Sequence, residues 1–339
     1  MMGQEKIGHM PAISHLNEDQ LIQVKITLDS PLRWVNSYIL QDEQGITLID
    51  PGPRTMSSEQ EWAQALAALQ LNVEDITSVV LTHHHPDHYG IAGWFQEQSG
   101  AKVWMSERAH QEAQLMWGEK PHDAGMNKQL PAFFAAHGMP VFWLSQIPEH
   151  LDSFIQQVSP QPKVTYINEE THISMGGRLW VPVQTAGHAP GHISFYHPDS
   201  GVILCGDAVL PQISPNVSLV PGSDAEPLHL FLEGLRRLQE LNVRTAYPGH
   251  RHPFTHFRER IEALLLHHEE RLTNIAGMLS AAGCLTGFEV CVDLFGDKLG
   301  IHQMRFAMCE ALAHLAELVR QNRAELSETE AGMFCFKSA

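Results

Sequence analysis

The sequence predicts an α/β fold with a helical C-terminal region, and three observations carry that prediction. Five short apolar runs each end in a turn bearing Gly, His or Asp. They are 46–49 before Asp50-Pro51-Gly52, 79–81 before Thr82-His83-His84-His85-Pro86-Asp87-His88, 181–185 before Ala186-Gly187-His188, 201–205 before Gly206-Asp207, and 243–247 before Pro248-Gly249-His250. Apolar runs of this length bounded by glycine read as strands. The first 106 residues alternate strand and helix patterns, the rhythm of a sheet covered by helices. From residue 257 onward apolar residues recur at steps of three and four, which is helical.

Taken in order, residues 21–28 and 34–40 are rich in β-branched and aromatic side chains and are expected to pair as strands. Residues 58–70 are helical, with Trp62, Leu66 and Leu69 at helical spacing and Ser57 or Ser58 as N-cap. A second helix is expected from His88 to about Gln98, stopped by Gly100, with its N-terminus aimed at the His-rich turn. Residues 102–105 return as a strand. Residues 107–162 break the rhythm with Pro121, Pro131, Pro140, Pro148, Pro160 and Pro162, which should divide them into short helices. This stretch carries Trp117, Met126, Phe133, Phe134, Met139, Phe142 and Trp143. Two readings stay open for it: a lid whose apolar side chains line a substrate pocket, or an added helical layer that buries them.

The stripe Phe257, Ile261, Leu264, His268, Leu272, Ile275 and Leu279 marks one long helix, ended by Gly283. Met304, Met308, Leu312, Leu315 and Val319 mark another. The tail, residues 323–337, carries Gly332 and the β-prone Met333-Phe334-Cys335-Phe336, which suits a small hairpin.

The chemistry concentrates in residues 82–88. His83-x-His85-x-Asp87-His88 sets three imidazoles and a carboxylate within six positions directly after an apolar strand. Nitrogen and carboxylate donors of this kind suit zinc, iron and manganese. A local cluster cannot surround two ions, so a two-metal site needs ligands from elsewhere. The turns at His188, Asp207 and His250 supply them, with glycines that let the backbone approach closely.

This ordered set resembles the metallo-β-lactamase-fold hydrolases, whose five motifs all occur in order between residues 50 and 250. The resemblance implies an αββα sandwich over residues 1–256, with a helical insertion at about 107–162 and a C-terminal helical, winged-helix-like domain over 257–339. It implies that His83, His85 and His188 hold one divalent metal ion and that Asp87, His88 and His250 hold a second. Asp207 would bridge the two, and Asp50 would stand behind them orienting ligands. Zinc is the expected ion, with iron or manganese compatible. The implied activity is hydrolysis by a metal-bridging hydroxide, with Asp87 shuttling a proton to the leaving group. His84 is expected to point away and His192 to serve as a structural hydrogen-bonding residue. Cys205, beside Asp207, reads as a buried thiol.

Within that family the likeness to glyoxalase II is close at Thr-His-His-His-x-Asp-His. Its basic residues for glutathione are not located here, Arg251, Arg258 and Arg260 being only nearby candidates. A small thioester or lactone is the expected substrate. The alternatives are a phosphodiesterase or endoribonuclease of the same fold, or a non-catalytic metal-binding module. Flavodiiron relatives carry a carboxylate where this chain has His85, so redox chemistry is not expected.

Composition bounds the partners. The 339 residues carry 39 acidic against 22 basic side chains, a formal net charge of −17. Nucleic-acid binding draws on Lys and Arg clusters, and none occurs. Glu310, Glu317, Glu325, Glu328 and Glu330 speak against DNA binding by the C-terminal domain, which is read instead as lid support or the contact of a homodimer. No apolar stretch reaches membrane-spanning length, and residues 1–15 lack the pattern of a secretion signal. Cys205, Cys284, Cys291, Cys309 and Cys335 are odd in number without tight pair spacing. No disulfide scaffold is therefore expected, and a reducing cytoplasm is the expected compartment.

Overall fold

The computed structural model describes residues 10–29, 31–118, 125–168, 170–329 and 332–339. Pro121, Glu330 and the first nine residues of the N-terminal stretch discussed above lie outside the described residues. A first sheet runs β1 (Ala12–Leu16), β2 (Leu21–Thr27), β3 (Trp34–Asp42), β4 (Gly45–Ile49), β5 (Ile76–Val80), β6 (Lys102–Met105) and β7 (Val164–Tyr166), in sequence order across the sheet. Its first four strands pair antiparallel and β4 to β7 pair parallel. The paired strands expected at 21–28 and 34–40 are β2 and β3.

The parallel strands are joined by helices on the outer face, as parallel pairing requires. These are α1 (Met56–Leu69), α2 (Pro86–Tyr89) and α3 (Ala92–Ser99). Trp62, Leu66 and Phe95 are buried there against Val24, Leu48 and Val79. Two boundaries differ from expectation. The N-cap of α1 is Thr55, whose side chain accepts from Ser58 N–H, rather than Ser57 or Ser58. The helix expected from His88 to Gln98 is two helices with a break at Gly90-Ile91. Gly90 is pressed against the Gln157 carbonyl, where a Cβ would lie 2.1 Å from the oxygen.

A second sheet has the order β12 (Thr245–Pro248), β11 (Val202–Gly206), β10 (Ile193–His197), β9 (Arg178–Gln184), β8 (Ile173–Met175). Leu40, Ile49 and Val80 of the first sheet meet Trp180, Phe195 and Leu204 of the second in a shared inner core. A third cluster packs the outer side of the second sheet under further helices. Three apolar layers between four structural layers make this an αββα sandwich.

The insertion folds as α4 (Glu107–Trp117), α5 (Met126–Ala136), α6 (Val141–Leu144) and α7 (Ile147–Asp152). Pro140 caps α6 and Pro148 opens α7, but Pro131 sits inside α5 without ending it. After the sandwich strand β11 comes α8 (Pro227–Gln239), and the C-terminal domain is α9 (Phe257–Ala282), α10 (Gly287–Phe295), α11 (Ile301–Arg320) and a hairpin of β13 (Ala324–Glu328) with β14 (Phe334–Ser338). The insertion packs on this domain. Met126, Leu130, Phe134 and Met139 are buried in one cluster with Leu279, Val290 and Met308, and the His137 ring stacks on Phe336. The layer reading therefore holds for Phe134, which is sealed, while Phe142 is exposed on the outside.

One cysteine expectation fails. Cys284 and Cys335, 51 residues apart, form a disulfide. Leu285 and Phe336 pair backbone to backbone, which sets the two Cα atoms 5.9 Å apart, within bonding geometry. Sequence spacing could not show a proximity created by the hairpin folding back on α10. Cys205, Cys291 and Cys309 are free and buried, so the cysteine argument for a reducing compartment no longer stands as made.

Candidate metal centre

The five turns meet at one end of the inner core. After β5 the chain runs through Thr82 to His85, and Pro86 then starts α2, where its missing N–H has no helical partner to lose. That turn brings His83 and His85 to one side and sets Asp87 and His88 on α2. The ligand atoms of His83, His85 and His188 lie within 4.8 Å of one another, and so do those of Asp87, His88 and His250.

Asp207 stands between the two triads. One of its oxygens, Oδ2, is 3.6 Å from Nε2 of His188 and 3.3 Å from Nε2 of His250, and Oδ1 is 3.6 Å from Nε2 of His88. Close approach here depends on glycine. A Cβ on Gly249 would lie 2.3 Å from Asp207 Oδ1 and 2.6 Å from His88 Cε1. Gly206 sits at φ +48, and a Cβ there would press on His192 and Thr82.

The far nitrogens of the imidazoles are held in place. Nδ1 of His188 donates to the Asn216 carbonyl at 2.7 Å, and Nδ1 of His250 to the Trp34 carbonyl at 2.9 Å. A carbonyl can only accept, so both rings present an unprotonated Nε2 when neutral. Asp50, at a left-handed φ of 47, accepts from Thr82 N at 2.8 Å and Thr82 Oγ1 at 2.6 Å and bonds His88 Nδ1 at 2.9 Å. Thr82 Oγ1 in turn meets His83 Nδ1 at 2.9 Å. Asp50 also falls within a compact group with His83 and His88. Both of its oxygens are occupied by Thr82 and His88.

Three buried atoms at this centre have no hydrogen-bond partner: Nε2 of His83, Nε2 of His188 and Oδ1 of Asp207. Each such atom costs about 1–3 kcal/mol if nothing satisfies it. Converging lone pairs of nitrogen and oxygen fit divalent cations, so these residues fit two metal ions. The electrostatics agree. Burial lowers His83 and His85 far below the ordinary imidazole value and also lowers His188, keeping all three neutral as ligands must be. Burial would raise the carboxyls of Asp87 and Asp207, but His88 and His250 hold both below the usual range. Burial would also depress His250, yet Asp207 and Asp87 raise it to about 10. Burial would depress His88 as well, yet Asp207, Asp87 and Asp50 raise it well above the ordinary value, so both imidazoles of this triad must lose a proton before binding a cation.

The neighbouring histidines fall elsewhere. His192 accepts the Asp207 N–H at Nε2, 3.2 Å away, and bonds Thr185 Oγ1 through Nδ1 at 2.8 Å, so both nitrogens are used. His84 is buried, outside every ligand group. Cys205 is buried with its thiol directed at the Val209 carbonyl. Thr82 and Asn216, which orient His83 and His188, were not singled out from the sequence. Thr82 adjoins the motif, whereas nothing in the residues around Asn216 marks it.

The family model of the metallo-beta-lactamase superfamily matches residues 32–250, well over half of the chain. The chain belongs to the metallo-beta-lactamase superfamily. Residues 272–339 match the metallo-beta-lactamase-like C-terminal domain. This member is similar to the probable metallo-hydrolase YqjP of Bacillus subtilis, 27% identical over 95% of this chain and 99% of that one. A metallo-beta-lactamase family protein of Thermus thermophilus superposes with a TM-score of 0.84 at 31% identity, covering 95% of this chain and 99% of its own. Two more distant curated relatives are the hydroxyacylglutathione hydrolase GloC of Haemophilus influenzae, 25% identical over 51% of this chain and 65% of its own, and the atrochrysone carboxyl ACP thioesterase of Aspergillus fumigatus, 24% identical over 68% and 55%.

The two histidines of the third turn give a direct check on which of them serves as the metal donor. If His188 is the donor of that turn, His188→Ala should remove a metal equivalent. His192→Ala, which removes only a support of Asp207, should weaken metal binding by about 10–100-fold. Equal metal content in the two purified variants would show that the turn was assigned to the wrong histidine.

Proposed function

We propose that this superfamily hydrolase holds two divalent ions, zinc by expectation, and cleaves a small carbonyl substrate, a thioester or a lactone. The observation that carries the reading is the single carboxylate of Asp207 placed between two three-residue groups. His83, His85 and His188 would hold one ion and Asp87, His88 and His250 the other, with Asp207 shared. When bound, the ions supply Lewis acidity to the substrate carbonyl and bring a water towards neutral pKa.

The chain's own residues do the rest. Asp87 has a side chain 27% exposed against 7% for Asp207, so it is the carboxylate that a substrate can reach. Held ionised by His88 and His250, it accepts the proton of the attacking water and delivers it to the departing thiolate or alkoxide. Asp50 and Thr82 keep His83 and His88 in register throughout. The buried walls around the site exclude bulk water and strengthen these interactions.

The choice of a carbonyl substrate draws on two observations. Of two distant relatives, GloC is named as a hydroxyacylglutathione hydrolase and the fungal protein as an ACP thioesterase. The net charge of −17 gives no source for a track of basic residues along an RNA backbone. No helix of the described residues is long and apolar enough to cross a membrane.

Elemental analysis of protein purified without added metal should give close to two ions per chain. The loaded protein should hydrolyse a small thioester or lactone faster than any oligonucleotide, with little salt dependence. Strongly salt-sensitive RNA cleavage with inert thioesters would reverse the substrate reading. Protein that takes up no metal under any loading condition would end the mechanism.

A further inference from the structure

We propose that Arg305, flanked by His150 and His302, is a receptor for a compact anionic group of the substrate, a carboxylate or a phosphate, set beside the metal centre by the C-terminal domain. The inference deepens the hydrolase reading above and rests on it for the identity of the reacting carbonyl.

Arg305 lies on α11 and is only 8% exposed. Its guanidinium makes no hydrogen bond or ion pair with any described residue, and its Nε is buried without a partner. Its surroundings are the ring of Phe306, 4.2 Å from the guanidinium carbon, and that of Phe154 at 5.9 Å. By contrast, Arg271 pairs with Glu310 and Arg108 with Asp224. A buried cation without a counter-ion is costly. Aromatic faces offset part of that cost but leave its N–H donors unused.

The place of Arg305 makes this a substrate matter. Phe306, the next residue, lies two hydrogen bonds from the metal ligand His188: Asn216 donates from Nδ2 to the Phe306 carbonyl at 3.3 Å and accepts from His188 at 2.7 Å. On the other side the Phe154 ring lies 6.0 Å from that of Trp117, whose indole N–H donates to the His84 carbonyl at 3.3 Å. The cation is therefore framed by two elements that both touch the ligand turns.

Two more donors converge. The rings of His150 on α7 and His302 on α11 are 5.3 Å apart, and His150 Nε2 is buried without a partner. Burial, with Arg305 and His302 nearby, lowers His150 to about 4. At neutral pH it therefore offers an N–H rather than a second charge. His302 in turn lies within the field of Asp87. One guanidinium and two neutral imidazoles suit one compact oxyanion, with Arg able to grip it bidentately. In a chain of net charge −17, capture of an anion needs such a locally built cation.

The test uses the metal-loaded full chain and a matched pair of thioesters, one ending in a free carboxylate and the other in its primary amide. The wild type should prefer the carboxylate by about tenfold or more in kcat/KM, the discrimination expected of one charge-assisted hydrogen bond. In Arg305→Met that ratio should collapse towards one through a rise in KM for the anion, and the ligand-free Tm should rise because an unpaired buried charge is gone. Arg305→Lys should keep part of the preference and serves as the folded control.

Calorimetric titration with glutarate and with inorganic phosphate reads anion binding without turnover. Loss of binding in Arg305→Met supports the receptor, and the tighter of the two probes names the anion. A wild type that hydrolyses neither thioester yet loses glutarate or phosphate binding in Arg305→Met would overturn the carbonyl reading and keep the receptor. A lowered Tm in Arg305→Met with unchanged anion binding would overturn the receptor and make Arg305 a packing residue.

Discussion

An Asp207→Ala protein should lose hydrolysis and tight binding of both metal ions together. The reason is positional. Asp207 is within 3.6 Å of His188 in one triad and within 3.3 Å of His250 in the other, so one truncation opens both sites. Metal-assisted charge stabilisation is worth several kcal/mol, which converts to a fall of about a thousandfold or more in kcat/KM. Asp87→Asn should differ in kind, cutting turnover more than metal content, because that side chain serves one triad and the leaving group.

The same variant has a readout that needs no activity. In the metal-free wild type, Asp207 and Asp87 raise His250 to about 10, so loading must expel a proton below that pH. Wild-type metal affinity should accordingly strengthen as pH rises towards 10. Without Asp207 only Asp87 still opposes burial at His250, so that dependence should level off at a lower pH. Two ions still tightly held by the Asp207→Ala protein, with affinity rising as steeply with pH, would mean that this carboxylate does not bridge.

Most of the centre was legible because its donors sit in turns directly after apolar strands. A strand fixes where its last residue points, so the local pattern marked the turns bearing His83, His188, Asp207 and His250 as donors, and the family resemblance supplied their grouping. The residues that orient them were legible only where they adjoin the motifs. Asp50 ends its own strand, whereas Asn216 lies in a loop that reaches His188 only through the packing of Phe306 and Glu310. The same limit applied to the aromatic insertion. Apolar content left Phe134 open between lining a pocket and packing in a layer, because Leu279, Val290 and Met308, which bury it, come from a distant part of the chain. Arg305 was hidden for a related reason: nothing in a helical stripe tells which polar position faces inward. The disulfide between Cys284 and Cys335 depends on a hairpin folding back across 51 residues, a distance over which spacing carries no signal.

The C-terminal domain should also make the folded protein acid-labile before its carboxylates titrate. His268 on α9 and His314 on α11 are both fully buried, with Nδ1 of the first 3.1 Å from Nε2 of the second. His314 Nδ1 donates to the Glu310 carbonyl at 2.8 Å, which leaves its Nε2 to accept from His268. That chain of bonds requires both rings neutral. Burial holds them so, lowering His268 to about 2 and His314 to about 3. In the unfolded chain each would take up a proton near pH 6.5. The unfolded state therefore binds more protons below that pH, and stability is present above it and lost as pH falls towards 3. Each imidazole contributes a slope of about 1.4 kcal/mol per pH unit across that window. Metal ligands also protonate in acid, so the comparison must cancel their effect. The double variant His268→Gln, His314→Gln keeps the metal site and removes only this pair. Between pH 7 and pH 5 its Tm should fall several degrees less than that of the wild type. Parallel losses of Tm in the two proteins would show that the buried pair does not set the acid limb.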